Sequence, residues 1–134
     1  INCQKHGVED RVYLLHGDML QPLPEPVDLV VANLPYVSDS EMGELAPEIR
    51  LFEPEMALAG GPDGTDKLYQ LLSQSKDKLL PDGLMLLEIG QGKAQKAIAL
   101  VKGYFPDAKT ELIPDLGGID RVVSVALGIK SDRD

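Results

Sequence analysis

Apolar residues along this chain fall into short runs separated by polar, glycine-rich or proline-rich stretches. Val27 to Ala32 (VDLVVA) and Leu84 to Ile89 (LMLLEI) are nearly unbroken apolar runs, the pattern of strands covered on both faces. Between them, Thr65 to Leu80 places Leu68, Leu71, Leu72, Leu79 and Leu80 at helical spacing. Thr65 is the expected cap of that helix and Pro81-Asp82-Gly83 its expected stop. Lys93 to Tyr104 reads as a further helix, and Ala108 to Ile113 and Val122 to Leu127 as the last two strands. Arg11 to Leu15 (RVYLL) reads as a short first strand running into His16-Gly17-Asp18. Ahead of it, the polar start INCQKHGVEDR has no initiating Met. It reads as the last turn of a helix already under way, so a preceding stretch of a longer protein is expected.

Strands alternating with helices predict an α/β fold, a mostly parallel sheet with helices on both faces. Only PDLGGIDR joins the last two strands. A connection that short does not make a parallel crossover, so a C-terminal antiparallel hairpin is expected. From Val37 to Gly64 the chain has neither a long helix pattern nor a strand pattern. A loop of that length inside a compact domain is usually functional or disordered. Ile49, Phe52, Met56 and Leu58 make it too apolar for a disordered tail. It is read as an ordered lid or substrate-binding loop, with a short helix around Ser40 to Leu45.

Composition narrows the class. The chain has 134 residues, with 43% hydrophobic and 26% charged, which suits one domain with a packed core. No apolar run approaches the roughly 20 residues of a membrane span, and the N-terminus is not a signal peptide. Cys3 is the single cysteine, which excludes an internal disulfide and points to a cytoplasmic setting. His6 and His16 each precede a glycine, and no Cys/His cluster suggests a metal. A net charge of −9 argues against this chain gripping nucleic acid by itself, since phosphate binding depends on Lys and Arg.

The run VVANLPYVS, Val30 to Ser38, carries more chemistry than a strand end requires. Asn33 brings an acceptor and an NH2 donor. Pro35 stiffens the chain and pushes Leu34 toward an extended conformation. Tyr36 adds a flat face with a polar tip. Together they suit a planar, nitrogen-bearing group. In open α/β sheets ligands bind beyond the carboxyl ends of the strands, and three features converge there. Asp18 follows the first strand, as a turn residue or a contact to a nucleotide-like cofactor. Asn33-Leu34-Pro35-Tyr36 follows the second. Glu88-Ile89-Gly90-Gln91 ends the third, with Glu88 an acid in an apolar run that needs a partner, a backbone group or Arg121.

These motifs carry a resemblance. Asn33-Leu34-Pro35-Tyr36 is similar to the Asn-Pro-Pro-Tyr motif of methyltransferases that modify planar amino groups. Glu53-Pro54, Ala57-Leu58 and Gly60-Gly61-Pro62-Asp63-Gly64 resemble, in that order, the loop signature of the peptide-chain-release-factor glutamine methyltransferases, the HemK/PrmC family. LLPDGLMLLEIGQGKAQ and DLGGIDRVV resemble that family's closing segments. The resemblance spans roughly residues 11 to 127 and implies a partial class I methyltransferase (Rossmann-like) domain. Residues 1–134 would be its C-terminal part, without the upstream strands and the helical recognition domain.

The implied activity is S-adenosyl-L-methionine-dependent methylation of the glutamine side-chain nitrogen in the Gly-Gly-Gln motif of class I release factors. The resemblance makes Asn33, Leu34, Pro35 and Tyr36 the catalytic residues, Asp18 and Asn33 cofactor contacts, and Glu53 and Pro54 the substrate loop. Leu34 departs from the family's usual first Pro. NLPY is the form found in ribosomal-RNA adenine dimethyltransferases, which keeps RNA adenine N6-methylation as the alternative. The family's glycine-rich cofactor loop and ribose-binding acid have no counterpart in this sequence. GGPDG does not replace that loop, because it follows no strand. In that arrangement two strands separate the Arg11 to Leu15 strand from Val27 to Ala32. The chain alone is therefore expected to be inactive, to bind the cofactor weakly or not at all, and to self-associate through an exposed sheet edge.

Overall fold

The computed structural model describes residues 1–128. A short helix α1 (Asn2–His6) closes at Gly7, and an irregular stretch leads to strand β1 (Val27–Asn33). Three short helices follow, α2 (Asp39–Met42), α3 (Pro47–Phe52) and α4 (Glu55–Leu58). The rest alternates: α5 (Asp66–Lys78), β2 (Leu79–Glu88), α6 (Ala94–Tyr104), β3 (Lys109–Pro114) and β4 (Asp120–Ala126). The four strands form one sheet in the order β1-β2-β4-β3. β1 and β2 are parallel, and β4 is antiparallel to both β2 and β3. The short PDLGGIDR connection thus makes the expected hairpin, and the described sheet is mixed.

Register assigns each face. Val30 pairs with Met85 and Ala32 with Leu87; across β4, Met85 pairs with Val125 and Leu87 with Val123. Met85, Leu87, Val123 and Val125 are almost completely buried, packed with Leu71 and Leu72 of α5 and Ala97 and Val101 of α6. Full burial of a Leu or Val side chain contributes about 1.5–3 kcal/mol, so this α5–α6 layer against one face is the core. The opposite face carries Leu29, Val31 and Asn33 of β1, all exposed. Among the described residues helices cover one face only, which corrects the expectation of helices on both. Apolar runs cannot reveal this: a strand reads as doubly buried whether or not its second face has a cover.

Three local expectations also change. Arg11 to Leu15 is not a strand, and Tyr13 and Leu14 are 83% and 87% exposed. Strand propensity yields a strand only where a ladder partner and a buried face are at hand, and the sheet offers this segment neither. Thr65 holds the N-cap position of α5 but makes no side-chain cap bond; its hydroxyl donates to Asp63 instead. The α5 helix ends at Lys78 with Leu79 as its C-cap, ahead of Pro81. Residues 81–83 form an irregularity in β2, since Val27 pairs with Leu79 and Leu29 with Leu84.

β1 is one edge of the described sheet and carries exposed apolar residues, with Leu29 48% and Val31 70% exposed. Unpaired, apolar strand edges recruit other chains. Val31→Lys is expected to lower self-association of the 134-residue chain without unfolding it. Light scattering across a concentration series checks this; a parent chain that stays monomeric at every concentration contradicts it.

Candidate active site

The chain leaves β1 at Asn33 and turns through Leu34-Pro35-Tyr36 into Val37. Val37 forms a parallel bridge with Ala59: its N–H donates to the Leu58 carbonyl at 3.0 Å, and its carbonyl accepts from the Gly60 N–H at 2.8 Å. The Asp39 N–H then donates to the Gly61 carbonyl at 3.1 Å. The segment after β1 and the segment before α5 therefore run side by side, which closes the long loop upon itself.

This pairing explains the glycines of the GGPDG stretch. A Cβ on Gly60 would lie 2.9 Å from the Pro35 carbonyl oxygen and from Tyr36 Cα, and one on Gly64 would collide with the Tyr36 carbonyl oxygen. Gly64 also has φ +77, a conformation with little cost only for glycine. From the other side, a Cβ on Gly90 would lie 2.8 Å from Cδ2 of the Tyr36 ring. Pro35 and Tyr36 are thus seated in a cradle of three glycines contributed by two segments remote in sequence. Asp63 pins the cradle: it accepts from the Thr65 N–H at 3.0 Å and pairs with Lys96. The Lys96 ammonium, then the Thr65 hydroxyl, hold its carboxyl down at about 2.

The loop folds into three short helices, but not by burying the apolar residues that suggested order: Phe52 and Met56 are 83% and 85% exposed. Its first helix is α2, close to the Ser40 to Leu45 helix expected from sequence. Ser38 caps it in a reciprocal capping box with Glu41, a pattern that Ser-x-x-Glu spells in sequence and that sequence reading passed over. Glu41 Oε2 accepts from the Ser38 N–H at 2.8 Å and the Ser38 hydroxyl at 2.6 Å, and pairs with Lys93 Nζ at 2.8 Å. Lys93, with help from Ser38, holds the Glu41 carboxyl down at about 2. A carboxyl lowered in this way stays ionised through neutral pH, and the support it lends fades only as pH falls from the ordinary Glu range toward 2. No sequence signal marked Lys93.

The predicted residues divide into two groups. Asn33, Leu34, Pro35 and Tyr36 stand together at the C-terminal end of β1. Asn33 is exposed at that end. No backbone N–H among the described residues donates to the Leu34 carbonyl. Asn33 pairs in register with Glu88 of β2. Arg121 does not serve Glu88: it binds Asp115 at 3.1 Å and reaches the Ile89 carbonyl at 3.5 Å. Tyr36 borders a cavity of about 280 Å³ that is also lined by Val37, Glu41, Leu45, Gly90 and Lys93.

Asp18, Glu53 and Pro54 lie apart from this cavity's lining. Asp18 follows no strand but opens a turn, its carbonyl accepting from the Gln21 N–H at 3.1 Å, and its carboxylate accepts from the Gln70 side chain on α5. Glu53 is the C-cap of α3 and Pro54 the N-cap of α4, both exposed at the junction of the two helices.

No family model matches the chain. The release factor glutamine methyltransferase of Cereibacter sphaeroides is 41% identical over 128 residues, covering 94% of this chain and 45% of the relative. That of Thermodesulfovibrio yellowstonii is 42% identical over 125 residues, 91% of this chain and 43% of the relative. The ribosomal protein uL3 glutamine methyltransferase of Neisseria meningitidis serogroup B is 44% identical over 93 residues, 69% of this chain and 30% of the relative. These relatives are glutamine methyltransferases. They agree with the family that the NLPY and glycine motifs resemble, and the chain spans less than half the length of each.

The described residues fit a nucleotide-bearing methyl donor only at its edge. Asn33 is exposed, and Asp18 lies on an exposed turn with its carboxylate accepting from Gln70. In the turn between β2 and α6, Gly90-Gln91-Gly92, the Tyr36 ring lies against Gly90, while a Cβ on Gly92 would meet nothing within 4 Å. Among the described residues no helix is long and apolar enough to cross a membrane, and no group of His, Cys, Asp and Glu suits a metal ion.

Proposed function

We propose that the protein carrying this chain methylates the side-chain nitrogen of a glutamine in a protein substrate, with the Gly-Gly-Gln motif of a class I release factor as the target and the cytoplasm as the setting. One observation carries the reading: Asn33 is exposed at the strand end and the Leu34 carbonyl accepts from no backbone N–H among the described residues, while Gly60, Gly64 and Gly90 lie against Pro35 and Tyr36. When bound, an S-adenosylmethionine-type donor supplies an electrophilic methyl group. An amide nitrogen is a weak nucleophile because its lone pair is delocalised into the carbonyl. Asn33 Oδ1 and the Leu34 carbonyl accept its two N–H groups, which orients the nitrogen and stabilises the positive charge that develops on it. Tyr36 covers one face of the flat amide. Asp18 and Asn33 face the cofactor, and Glu53 and Pro54 meet the substrate chain beyond the glutamine.

The test is methyl transfer by the protein as its gene encodes it, offered a release factor, ribosomal protein uL3 and ribosomal RNA in parallel. Methyl incorporation at the release-factor glutamine is expected. Incorporation into RNA alone overturns the reading in favour of adenine chemistry, and incorporation into uL3 alone moves the substrate and leaves the glutamine chemistry standing.

Leu34→Pro is expected to keep near-parental glutamine methylation. The proposed contact is a backbone carbonyl, which proline retains, and the Leu34 N–H has no acceptor among the described residues. Asn33, which would precede the new proline, is already in a strand, the conformation that proline imposes on its predecessor. Lost activity with an intact fold would assign the contact to the Leu34 side chain.

A further inference from the structure

Lys93 joins three segments that sequence keeps apart. It is the N-cap of α6, and its N–H donates to the Gly90 carbonyl at 3.1 Å. Its stem then passes along the Gly90 surface on which the Tyr36 ring lies: a Cβ on Gly90 would be 3.4 Å from Lys93 Cε and 2.8 Å from Tyr36 Cδ2. At the tip, Nζ pairs with Glu41 Oε2 at 2.8 Å and reaches the Asp63 carbonyl at 3.4 Å. One ammonium thus connects the turn after β2, the helix after the Asn-Leu-Pro-Tyr turn and the glycine cradle. The Lys93 side chain is 16% exposed, against 47% for Lys96, which pairs with the same aspartate residue's carboxylate. Lys93 and Glu41 also line the cavity beside Tyr36.

We propose that Lys93 is a positioning residue for glutamine methylation: through Glu41 and Ser38 it fixes the Tyr36 ring and the loop around it, and so sets where the target amide lies relative to Asn33. The role rests on the reaction proposed above. An ion pair this close to solvent adds little to stability, whereas a small misplacement of a reacting group lowers rate steeply. The effect therefore falls on turnover before it falls on folding.

The experiment compares Lys93→Met, Lys93→Arg and Glu41→Gln in the protein as its gene encodes it, with a Gly-Gly-Gln peptide as substrate. Lys93→Met keeps the stem and removes the charge; it is expected to lower kcat about tenfold or more with a nearly parental urea midpoint. Lys93→Arg is expected to recover most of the rate, and Glu41→Gln to reproduce the defect from the other side of the pair. Parental kcat in Lys93→Met, with an active parent, overturns the role alone. So does a loss of rate that only tracks a loss of folded protein in Lys93→Met and Glu41→Gln alike. A parent that transfers no methyl to glutamine overturns the reaction assignment and this role with it.

Discussion

Asn33→Ala is expected to lower the turnover of glutamine methylation by about 10²–10³, equivalent to about 2.7–4 kcal/mol of lost transition-state stabilisation, and far more than it lowers cofactor affinity. Asn33 is exposed, so its removal buries no unpaired group and the fold is expected to hold. The Asn33 acceptor becomes most valuable as the target nitrogen gains positive charge, which is why the loss should fall on kcat. Asn33→Asp is expected to be poor as well, because it retains an acceptor but loses the amide donor and adds a charge. Steady-state kinetics with separate measurement of cofactor binding checks both. Parental turnover in Asn33→Ala would remove Asn33 from the catalytic group.

Gly64→Ala is expected to destabilise the protein and abolish methylation together. Its Cβ would meet the Tyr36 carbonyl oxygen, a backbone atom that cannot rotate away, at a residue with φ +77. Left-handed backbone costs a residue with a Cβ about 1–2 kcal/mol, and overpacking adds about 1–3 kcal/mol. Gly92→Ala separates the two contributions: its φ is +78, but a Cβ there meets nothing within 4 Å. It should show only the backbone cost and keep its activity. Urea unfolding of both variants, with methylation measured below the transition, tests the comparison. Equal destabilisation by the two substitutions would show that the contact with Tyr36 carries no weight.

Much of this fold was legible in the sequence because the signals are local. The apolar runs of β1 and β2, the helical spacing of Leu68, Leu71 and Leu72 and the short final connection each depend on neighbouring residues, and each appears in the structure within a few positions. The Asn33 to Tyr36 motif was legible for the same reason: four adjacent residues place an amide, a stiff turn and an aromatic ring at a strand end. Arg11 to Leu15 misled because strand propensity is a local quantity and a strand is not. It requires a second chain segment to hydrogen-bond with, and none stands beside these residues.

The sequence by itself determined the α/β class, the antiparallel hairpin and the place of Asn33, Leu34, Pro35 and Tyr36 at the end of β1. Only the tertiary structure decided which sheet face the helices cover, and why the glycines before α5 are glycines. Gly60 and Gly64 are remote in sequence from Gly90, yet all three lie against Pro35 and Tyr36. Lys93 has no local feature that sets it apart from the other lysines, and it acquires a role because β2 delivers it beside Glu41. The physical reason is common to these cases: a close approach between backbones, or an ion pair across a loop, depends on distances between segments, and a linear pattern of residue types does not encode those distances.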